Sequence, residues 1–288
     1  MADRIGFIGL GIMGRPMALR LLEAGFALTV HSRSPEPVAE LVAAGAARAG
    51  SGEEVASAVD VVITMLPDTP DVEEVLFGPD GVAAGVGAGS VVIDMSTIDP
   101  AATRGFSTRL TGHDATMVDA PVSGGETGAV EGTLSIMVGG SSDDVVRVTP
   151  LFEAMGRTIV HVGPVGAGQV CKASNQLVVG ATIEAVAEAL ALAARSGVDP
   201  AKVRDALLGG FAGSKILEVH GKRMLERAFE PGFRARLHAK DARIVLRAAA
   251  EADLELPGFT PVAGQLERLV ASGGGEFDHA ALITLLEG

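Results

Sequence analysis

The sequence predicts an α/β domain built on a doubly wound parallel sheet, followed by an all-α domain, with a long helix joining the two. Three observations support this fold class. Short apolar runs alternate with amphipathic stretches over the first half of the chain. A proline-free segment rich in Ala, Leu and Val runs from Gly168 to about Ser196, and the remainder shows helical periodicity with almost no strand signal. We therefore expect one domain at residues 1–163 and a second at 164–288.

The apolar runs place the elements of the first domain. Predicted strands are residues 4–9, 27–31, 61–65, 90–94, 115–119, 135–138 and 158–162. Predicted helices between them include residues 13–24, 36–44, 71–77 and 143–155. Strands that alternate with helices pair in parallel between two helical layers, and such sheets bind ligands beyond the carboxyl ends of their strands. The joining helix would be roughly 40 Å long at 1.5 Å per residue, with Gly197 as its expected C-cap.

Composition narrows the classes of partner and compartment. The chain has 288 residues, 48% of them hydrophobic and 20% charged, so it is long and apolar enough to bury a sizeable core. A formal net charge of −13 and the lack of Trp and Tyr argue against nucleic acid as a partner. No uninterrupted apolar run reaches about 18 residues, so we expect no membrane span. The single Cys171 excludes an intrachain disulfide and, with an N-terminus that lacks signal-peptide features, predicts a cytoplasmic protein.

A glycine-rich segment follows the first predicted strand and precedes an amphipathic helix. It consists of Gly9, Leu10, Gly11, Ile12, Met13 and Gly14. The first glycine permits a tight turn, the second lets a pyrophosphate approach the backbone, and the third lets the helix pack closely on the strand. The N-terminus of the helix favours the negative charge. This context predicts a Rossmann-type dinucleotide site, and the alternative is an ordinary turn between strand and helix.

The residues after the second predicted strand bear on the choice of cofactor. An NAD site usually offers a carboxylate about 20 residues after the glycine motif. This chain instead has Ser32, Arg33 and Ser34, with no carboxylate before Glu36. Because an arginine can hold a 2′-phosphate in a bidentate manner, we expect NADP (NADPH) to be preferred, with NAD as the other possibility. A solvated surface charge is the alternative role for Arg33.

Two loops follow further predicted strands and would lie at the carboxyl edge of the sheet. One contains Met65, Leu66 and Pro67, and the other contains Ser96 and Thr97. Short apolar and hydroxyl side chains at this edge suit contact with the nicotinamide end of a dinucleotide. Spacing alone makes capping of the next helix by Ser96 or Thr97 an equal alternative.

A loop for a small anion is predicted after the strand at 115–119. Ser123, Gly124 and Gly125 offer consecutive backbone N–H groups beside a hydroxyl. Such an arrangement can form a concavity for a carboxylate or a polarised carbonyl oxygen. A flexible turn is the alternative, which spacing alone favours.

Lys172 stands in an otherwise apolar helical stretch, where lysine is rarely buried. Asn175 and Gln176 follow three and four residues later, so the three can share one helix face. An ammonium that donates a proton, beside an amide that orients it, makes a reasonable general acid. The alternative is a surface lysine with its charge in water. Lys240, which precedes Asp241, is a second candidate, and its alternative is a surface ion pair. No metal ion is expected.

These segments together resemble the β-hydroxyacid dehydrogenase family, which is also described as 3-hydroxyisobutyrate dehydrogenase-like. The signatures occur in family order over nearly the whole chain, and they are FIGLGIMGRPMA, DMST, DAPVSGG, EGTLSIMVGG, GAGQVCKASNQ and LHAKD. The resemblance implies a Rossmann domain, a helical second domain and a cleft between them. It also implies an NADP- or NAD-dependent oxidoreductase that acts on a small anionic aldehyde or hydroxy acid, and a homodimer or homotetramer.

The resemblance further implies roles for individual residues. Lys172 would be the catalytic acid/base. The substrate would be bound by Ser123, Gly124, Gly125 and one of Asn175 and Gln176. Cofactor contact would involve Ser96 or Thr97, together with Lys240.

Two departures from the family pattern stand out. Arg20 occupies a position where members usually have Asn, which bears on local packing more than on chemistry. The C-terminal ALITLLEG lacks the aromatic pair often found after the Ala-Leu segment, which would change substrate preference if those aromatics close the pocket. Two other functions stay open, imine reduction and cofactor binding without catalysis. Many imine reductases replace the lysine with Asp or Tyr, and non-catalytic relatives lack it, so Lys172 favours a dehydrogenase.

Overall fold

The computed structural model describes residues 4–287, and the chain forms two compact units that divide after Lys172. This division falls inside the long helix α9 (Ala167–Arg195), whereas the boundary predicted from sequence precedes that helix. The two positions differ because a change in composition marks where the helix begins, while packing decides which unit its first residues contact.

One nine-stranded sheet organises the first unit. Its strands are β1 (Ile5–Ile8), β2 (Leu28–His31), β3 (Ala47–Arg48), β4 (Val61–Thr64), β5 (Val91–Asp94), β6 (Thr116–Asp119), β7 (Val122–Ser123), β8 (Leu134–Gly139) and β9 (Gly156–Gly163). The order across the sheet is β3-β2-β1-β4-β5-β6-β8-β7, with β9 also paired to β8. All seven predicted strands are confirmed, and β3 and β7, of two residues each, were not predicted.

The sheet is parallel except at one edge, where it departs from the wholly parallel prediction. β1 to β6 pair in parallel, but β8 runs antiparallel to β6 and β7, and β9 runs parallel to β8. Between β7 and β8 the chain has only the short helix α7 (Gly125–Glu131), which spans about 10 Å. A four-residue strand spans about 13 Å. Because α7 does not return the chain to the starting edge of the sheet, β8 enters from the carboxyl edge.

Helices cover both faces of this sheet. In addition to α7 they are α1 (Gly14–Glu23), α2 (Pro35–Ala43), α3 (Gly52–Ala58), α4 (Thr69–Phe77), α5 (Val82–Gly85), α6 (Pro100–Thr111) and α8 (Ser142–Met155). Since side chains alternate along a strand, Val61 and Ile63 of β4 pack in one buried apolar cluster and Val62 in another. The two cores confirm the doubly wound α/β architecture, and the carboxyl ends of the parallel strands meet at one edge.

The second unit is helical, as predicted. After α9 come α10 (Pro200–Leu208), α11 (Lys215–Glu226), α12 (Ala235–Glu251), α13 (Thr260–Ala271) and two 3₁₀ segments at Gly274–Glu276 and His279–Leu286. Ile183, Leu217 and Leu266 are among the fully buried side chains of its core. Within residues 173–287 there is no strand, and a single bridge pairs Arg234 with Asp278. Gly197, just beyond α9, has a φ of +72°.

The length and composition of α9 alone would suffice to cross a bilayer. An 18-residue window within it has a mean hydropathy of 1.8, and 39% of that window is buried in protein. The sequence criterion of an uninterrupted apolar run misses α9 because polar side chains interrupt it. Lys172 and Glu184 are two such side chains, and both are buried. Core helices of folded domains share these properties, so the absence of a membrane span stays a prediction.

Candidate active site

The glycine loop between β1 and α1 is closed at two glycines and open at the third. Gly9 has a φ of +97°, and a Cβ there would lie 2.4 Å from the Met65 carbonyl oxygen. A Cβ on Gly14 would lie 1.9 Å from the Gly9 carbonyl oxygen, so only glycine lets α1 approach this closely. Gly11 is exposed, and a Cβ built on it would have no neighbour within 4 Å among the described residues. The loop therefore fits a dinucleotide, with open backbone where a pyrophosphate would lie.

The remaining loop residues lie beside the end of β2. Leu10 is buried, Ile12 is 51% exposed, and Met13 is half-buried at the N-cap position of α1. The Leu10 backbone N–H donates to the Ser32 hydroxyl over 3.4 Å. This hydrogen bond brings together two segments that the sequence had assigned separately to the cofactor.

Arg33 and Ser34 continue from Ser32 at the carboxyl end of β2. Ser34 is the N-cap of α2. The Arg33 side chain is 83% exposed, and its guanidinium nitrogen lies 3.6 Å from an Asp71 carboxylate oxygen. An exposed pair of this length contributes little to stability, so the Arg33 guanidinium is accessible to an anion from solvent.

A hydrogen bond joins the loops after β4 and β5. The Leu66 N–H donates to the Ser96 hydroxyl over 2.8 Å. Ser96 is fully buried, Met65 and Thr97 are half-buried, and Pro67 is exposed. These five residues therefore form one continuous edge at the carboxyl ends of the two strands, as predicted for loops on neighbouring parallel strands.

The capping alternative for Ser96 and Thr97 is wrong. The N-cap of α6 is Asp99, whose Oδ1 accepts the N–H groups of Ala101 (2.8 Å) and Ala102 (3.1 Å). Asp99 was not among the predicted caps, although it directly precedes the helix and its carboxylate lies two residues before the first N–H group that it accepts. Ser96 instead links neighbouring loops.

The predicted anion loop connects a short strand to a short helix. Ser123 ends β7 and pairs with Ser135 of β8, while Gly125 begins α7. Gly124 and Gly125 have φ values of +138° and +63°, which favour glycine, and both residues are exposed. Consecutive accessible backbone groups therefore follow a serine hydroxyl held in a strand.

Arg20 packs beside this segment. Its Nε donates to the Val130 carbonyl of α7 over 2.8 Å, and another guanidinium nitrogen lies 3.0 Å from Glu23. Arg20 thus links α1 to the helix that begins at Gly125. The departure from the family pattern at this position therefore affects packing next to the anion loop, in line with the expectation of a local effect.

Lys172 lies in the second turn of α9 and is only 7% exposed. The alternative of a surface lysine is therefore wrong. Cys171 and Asn175 on the same helix are half-buried, and Gln176 is buried. A lysine ammonium withdrawn from water in this way is a candidate for proton transfer rather than a solubilising charge.

In the second unit, Gln176 and Lys240 share one carboxylate. The Gln176 amide nitrogen donates to Asp241 Oδ2 over 2.6 Å, and the Lys240 ammonium lies 2.9 Å from Asp241 Oδ1. The side chains of Lys240 and Asp241 are 9% and 3% exposed. The alternative of a surface ion pair is therefore wrong, because this pair is buried. The Gln176 amide is oriented by Asp241, so Asn175 is the better candidate for a substrate contact.

A buried histidine cluster in the second unit was not predicted. His279 Nδ1 lies 2.9 Å from His238 Nδ1, and its Nε2 lies 3.3 Å from His220 Nε2. His220 Nδ1 lies 3.4 Å from Asp278 Oδ1, and Arg223 lies 2.8 Å from Asp278 Oδ2. The ligand atoms of His220, Asp278 and His279 all lie within 4.8 Å of one another, which is the donor set of a transition-metal site. The Asp278 carboxylate is already neutralised by Arg223, and the expectation of no metal stays a prediction.

Acid is expected to destabilise this cluster. Burial and the neighbouring imidazoles hold the pKa of His279 well below 6.5, so an unfolded chain takes up a proton there that the folded chain does not. Although burial opposes it, the adjacent His220 imidazole and the backbone N–H donors of Ala280 and Phe233 hold the Asp278 pKa below its ordinary value. Both groups therefore contribute stability at neutral pH. The His279 contribution is lost below about pH 6.5, by up to about 1.4 kcal/mol per pH unit, and the Asp278 contribution is lost below about pH 4.

Denaturant unfolding between pH 7.5 and 5 would measure this loss. His279→Gln should flatten the pH dependence of the free energy of unfolding, whereas His113→Ala, at an exposed histidine, should not. If the free energy of unfolding of His279→Gln depends on pH as steeply as that of the unmodified protein, His279 is not the group responsible. The same unfolding curves recorded with and without EDTA test the expectation of no metal. If the cluster holds no metal ion, the two curves should coincide.

Sequence reasoning also missed Asp119 and Gln169. Asp119 accepts N–H groups from the first turn of α9, although it ends a strand far away in sequence. Gln169 alone carried a weak signal, because glutamine is a common capping residue in the first turn of a helix. The pairing of the two residues across the fold carried no signal in the sequence. The histidine cluster carried none either, because its members come from separate helices and the C-terminal segment.

Comparison with known proteins identifies the class to which this site belongs. The family model for the NAD binding domain of 6-phosphogluconate dehydrogenase matches residues 4–163. The model for NAD-binding of NADP-dependent 3-hydroxyisobutyrate dehydrogenase matches residues 166–286. Together with the glycine loop and the sheet, these matches define a nicotinamide-dependent oxidoreductase.

Individual relatives narrow the class further. The Escherichia coli 2-hydroxy-3-oxopropionate reductase is 48% identical over 285 residues, which are 99% of this chain and 97% of that protein. The Pseudomonas aeruginosa NAD-dependent L-serine dehydrogenase is 37% identical over 99% of this chain and 98% of its own. A Mycobacterium tuberculosis 3-hydroxyisobutyrate dehydrogenase, solved with L-serine, has a TM-score of 0.90 at 32% identity and covers 100% of both chains. The chain belongs to the β-hydroxyacid dehydrogenase family.

Proposed function

We propose that this protein is an NADPH-dependent reductase of 2-hydroxy-3-oxopropionate (tartronate semialdehyde) that forms D-glycerate. The observation that carries the proposal is the buried Lys172 of α9 in a chain 48% identical to the reductase from Escherichia coli. The segment GGFAGSKILEVHGKRMLERAFEPGFRARLHAKD, from Gly209 to Asp241, also resembles tartronate semialdehyde reductases. Purified protein should therefore oxidise NADPH when 2-hydroxy-3-oxopropionate is added, and the absence of turnover on it would refute the proposal.

The residues described above account for each requirement of an aldehyde reduction, which consumes one hydride and one proton. A nicotinamide cofactor held by the glycine loop would supply the hydride. Lys172 donates its proton to the carbonyl oxygen as an alkoxide develops. The Ser123 hydroxyl and the accessible backbone of Gly124 and Gly125 hold the substrate carboxylate. Asn175, one turn beyond Lys172, orients the substrate through its amide.

The cofactor would be held by the glycine loop and the strand ends beside it. Backbone groups near Gly11 would receive the pyrophosphate, and Arg33 would receive the 2′-phosphate. The loop that contains Ser96 and Thr97 would face the nicotinamide end, together with Met65, Leu66 and Pro67. Lys240 is a further proposed cofactor contact, with its ammonium held in place by Asp241.

NADP preference makes a direct prediction at Arg33. Arg33→Ala should raise the KM for NADPH by about 10- to 100-fold, since a hydrogen bond to a charged group contributes about 1.5–3 kcal/mol. The KM for NADH should change little, because NADH has no 2′-phosphate. Initial rates with both cofactors measure the effect. Arg109→Ala is the matched control, because Arg109 also makes an exposed pair, with Glu73. Equal loss with both cofactors, or a clear NADH preference of the unmodified protein, would refute the NADP assignment.

Enzymes of the family that act on other substrates differ in the residues that line the pocket. These substrates include 3-hydroxyisobutyrate, glyoxylate and succinic semialdehyde, and the non-aromatic C-terminal segment is the feature that favours considering them. A cofactor-binding module without catalysis is the distant alternative, against which the retained Lys172 argues.

We also propose domains at 1–163 and 164–288, a cytoplasmic location, and a homodimer or homotetramer that binds neither nucleic acid nor membranes, on the grounds of charge, composition and family membership.

A further inference from the structure

We infer that Asp119 is a positioning residue for Lys172, because its carboxylate fixes the first turn of the helix that carries the lysine. The inference rests on the proposed function, which gives Lys172 the proton transfer. Asp119 is the last residue of β6, and Lys172 lies in the second turn of α9. Both residues belong to the first compact unit.

The Asp119 carboxylate caps α9 from the sheet. Its Oδ1 accepts the Gly166 N–H over 2.6 Å, and its Oδ2 accepts the Gln169 N–H over 2.8 Å. The first N–H groups of a helix lack partners within the helix, and the helix dipole favours a negative charge there. Most N-caps come from the residue that precedes the helix. Here the cap comes from a strand, so the same two hydrogen bonds also fix where the helix starts relative to the sheet.

Gln169 adds a second link from the same turn. Its amide nitrogen donates to the Ser96 carbonyl over 2.8 Å, and its amide oxygen accepts the Ile98 N–H over 3.1 Å. These contacts reach the loop after β5, and β5 pairs with β6 so that Asp94 is opposite Asp119. The start of α9 is therefore held at the carboxyl ends of two adjacent strands, three residues before Lys172.

Close packing leaves this turn no room to shift. A Cβ on Gly168 would lie 2.3 Å from the Met137 carbonyl oxygen and 2.7 Å from that of Asp119. A Cβ on Gly139 would lie 2.5 Å from Asp119 Oδ1. The backbone of α9 thus contacts β6 and β8 at van der Waals distance, with the Asp119 carboxylate between them.

The charge on Asp119 is unfavourable for the fold and consistent with a functional role. Burial raises its pKa to about 6, while the N–H donors at Gly166 and Gln169 lower it, and the charge of Asp94 on β5 raises it further. The folded-state pKa exceeds the unfolded value, so this group favours the folded state most at low pH, and that contribution is lost as the pH rises through about 6. A residue kept charged at neutral pH despite this effect is typical of functional sites.

Asp119→Asn tests the inference, with Asp99→Asn as the matched control. Asp119 uses two different oxygens for two N–H groups, so asparagine can satisfy only one of them. Asp99 accepts both of its capping N–H groups, those of Ala101 and Ala102, with the single oxygen Oδ1, which asparagine retains. We expect kcat at pH 8 to fall about 10- to 100-fold in Asp119→Asn, as for small misplacements of a catalytic group, with the Kd for NADPH within about threefold. Asp99→Asn should keep kcat within about twofold.

The pH profile separates positioning from folding. Burial raises the pKa of Asp119, so as the pH falls through about 6 we expect the carboxylate to take up a proton and the kcat of the unmodified protein to fall toward that of Asp119→Asn. A kcat in Asp119→Asn equal to that of Asp99→Asn would overturn the inference.

Two further variants keep the outcomes distinct. If Asp119→Asn does not fold, Asp119→Glu decides, because it keeps the charge and both oxygens but moves them by one methylene group, so the two hydrogen bonds cannot both keep their present geometry. It should lower kcat at least about fivefold with folding intact, and unchanged turnover would overturn the inference. If Lys172→Ala keeps full turnover, the proposed role of the lysine fails, and the positioning of Lys172 fails with it. If Lys172→Ala is inactive but Asp119→Asn is not, only the positioning inference fails.

Discussion

Replacing Lys172 with alanine is expected to lower kcat by about 10²- to 10⁴-fold, the range that general acid catalysis contributes. The lysine is 7% exposed in the second turn of α9. Without its ammonium, no proton is delivered to the developing alkoxide except by water. NADPH binding should be nearly unchanged, because the glycine loop and Arg33 are untouched. Steady-state turnover and fluorescence titration of NADPH measure the two quantities separately.

Lys172→Arg sharpens this experiment. Arginine keeps the positive charge but does not lose its proton at accessible pH, so it should be as inactive as alanine if proton donation is the role. Lys202→Ala is the matched control, because Lys202 is an exposed helical lysine on α10. Turnover in Lys172→Arg near that of the unmodified protein would assign Lys172 an electrostatic role instead. Unchanged turnover in Lys172→Ala would remove it from the mechanism.

Alanine substitutions at Gly14 and Gly11 are expected to have opposite consequences. A Cβ on Gly14 would lie 1.9 Å from the backbone oxygen of Gly9, and a backbone atom cannot move aside as a side chain can. Gly14→Ala should therefore lower the free energy of unfolding by about 3 kcal/mol or more, at the upper end of overpacking effects. Urea unfolding followed by circular dichroism measures this loss.

Gly11→Ala should leave the fold intact and weaken the binding of the cofactor. Among the described residues no atom lies within 4 Å of the added methyl group, so stability should stay within about 0.5 kcal/mol. The methyl group would occupy the space that a pyrophosphate needs, and the Kd for NADPH should rise about tenfold or more, a change of about 1.4 kcal/mol. Unchanged NADPH affinity in a folded Gly11→Ala would place the pyrophosphate elsewhere.

The fold could be predicted because its signals are local. Buried parallel strands appear as continuous apolar runs, which is why β1, β4 and β5 were found close to their observed bounds. β3 and β7 have two residues each and exist only through pairing with β2 and β8, so they carry no run of their own. The antiparallel direction of β8 was missed because it depends on the length of α7.

The candidate site was predictable where one segment contains the whole signal. The glycine loop and the apolar stretch around Lys172 are such segments. The tight packing at Gly9 and Gly14, the open space at Gly11 and the burial of Lys172 all agree with what the sequence predicts. The sharing of Asp241 by Lys240 and Gln176 depends on two helices brought together by folding, so the sequence left a surface ion pair open as the alternative for Lys240. The capping alternative for Ser96 stayed open for the same reason, since its partner Leu66 follows another strand.

The most direct test of the central claim is the rate of NADPH oxidation with a panel of small aldehyde acids. The panel contains 2-hydroxy-3-oxopropionate, glyoxylate, methylmalonate semialdehyde and succinic semialdehyde, with NADH in parallel. We expect kcat/KM for 2-hydroxy-3-oxopropionate with NADPH to exceed the others by at least about tenfold, the discrimination that one or two pocket contacts supply. Preference for another aldehyde would retain Lys172 and the fold but contradict the assigned substrate. No turnover on any of them would contradict the reductase itself.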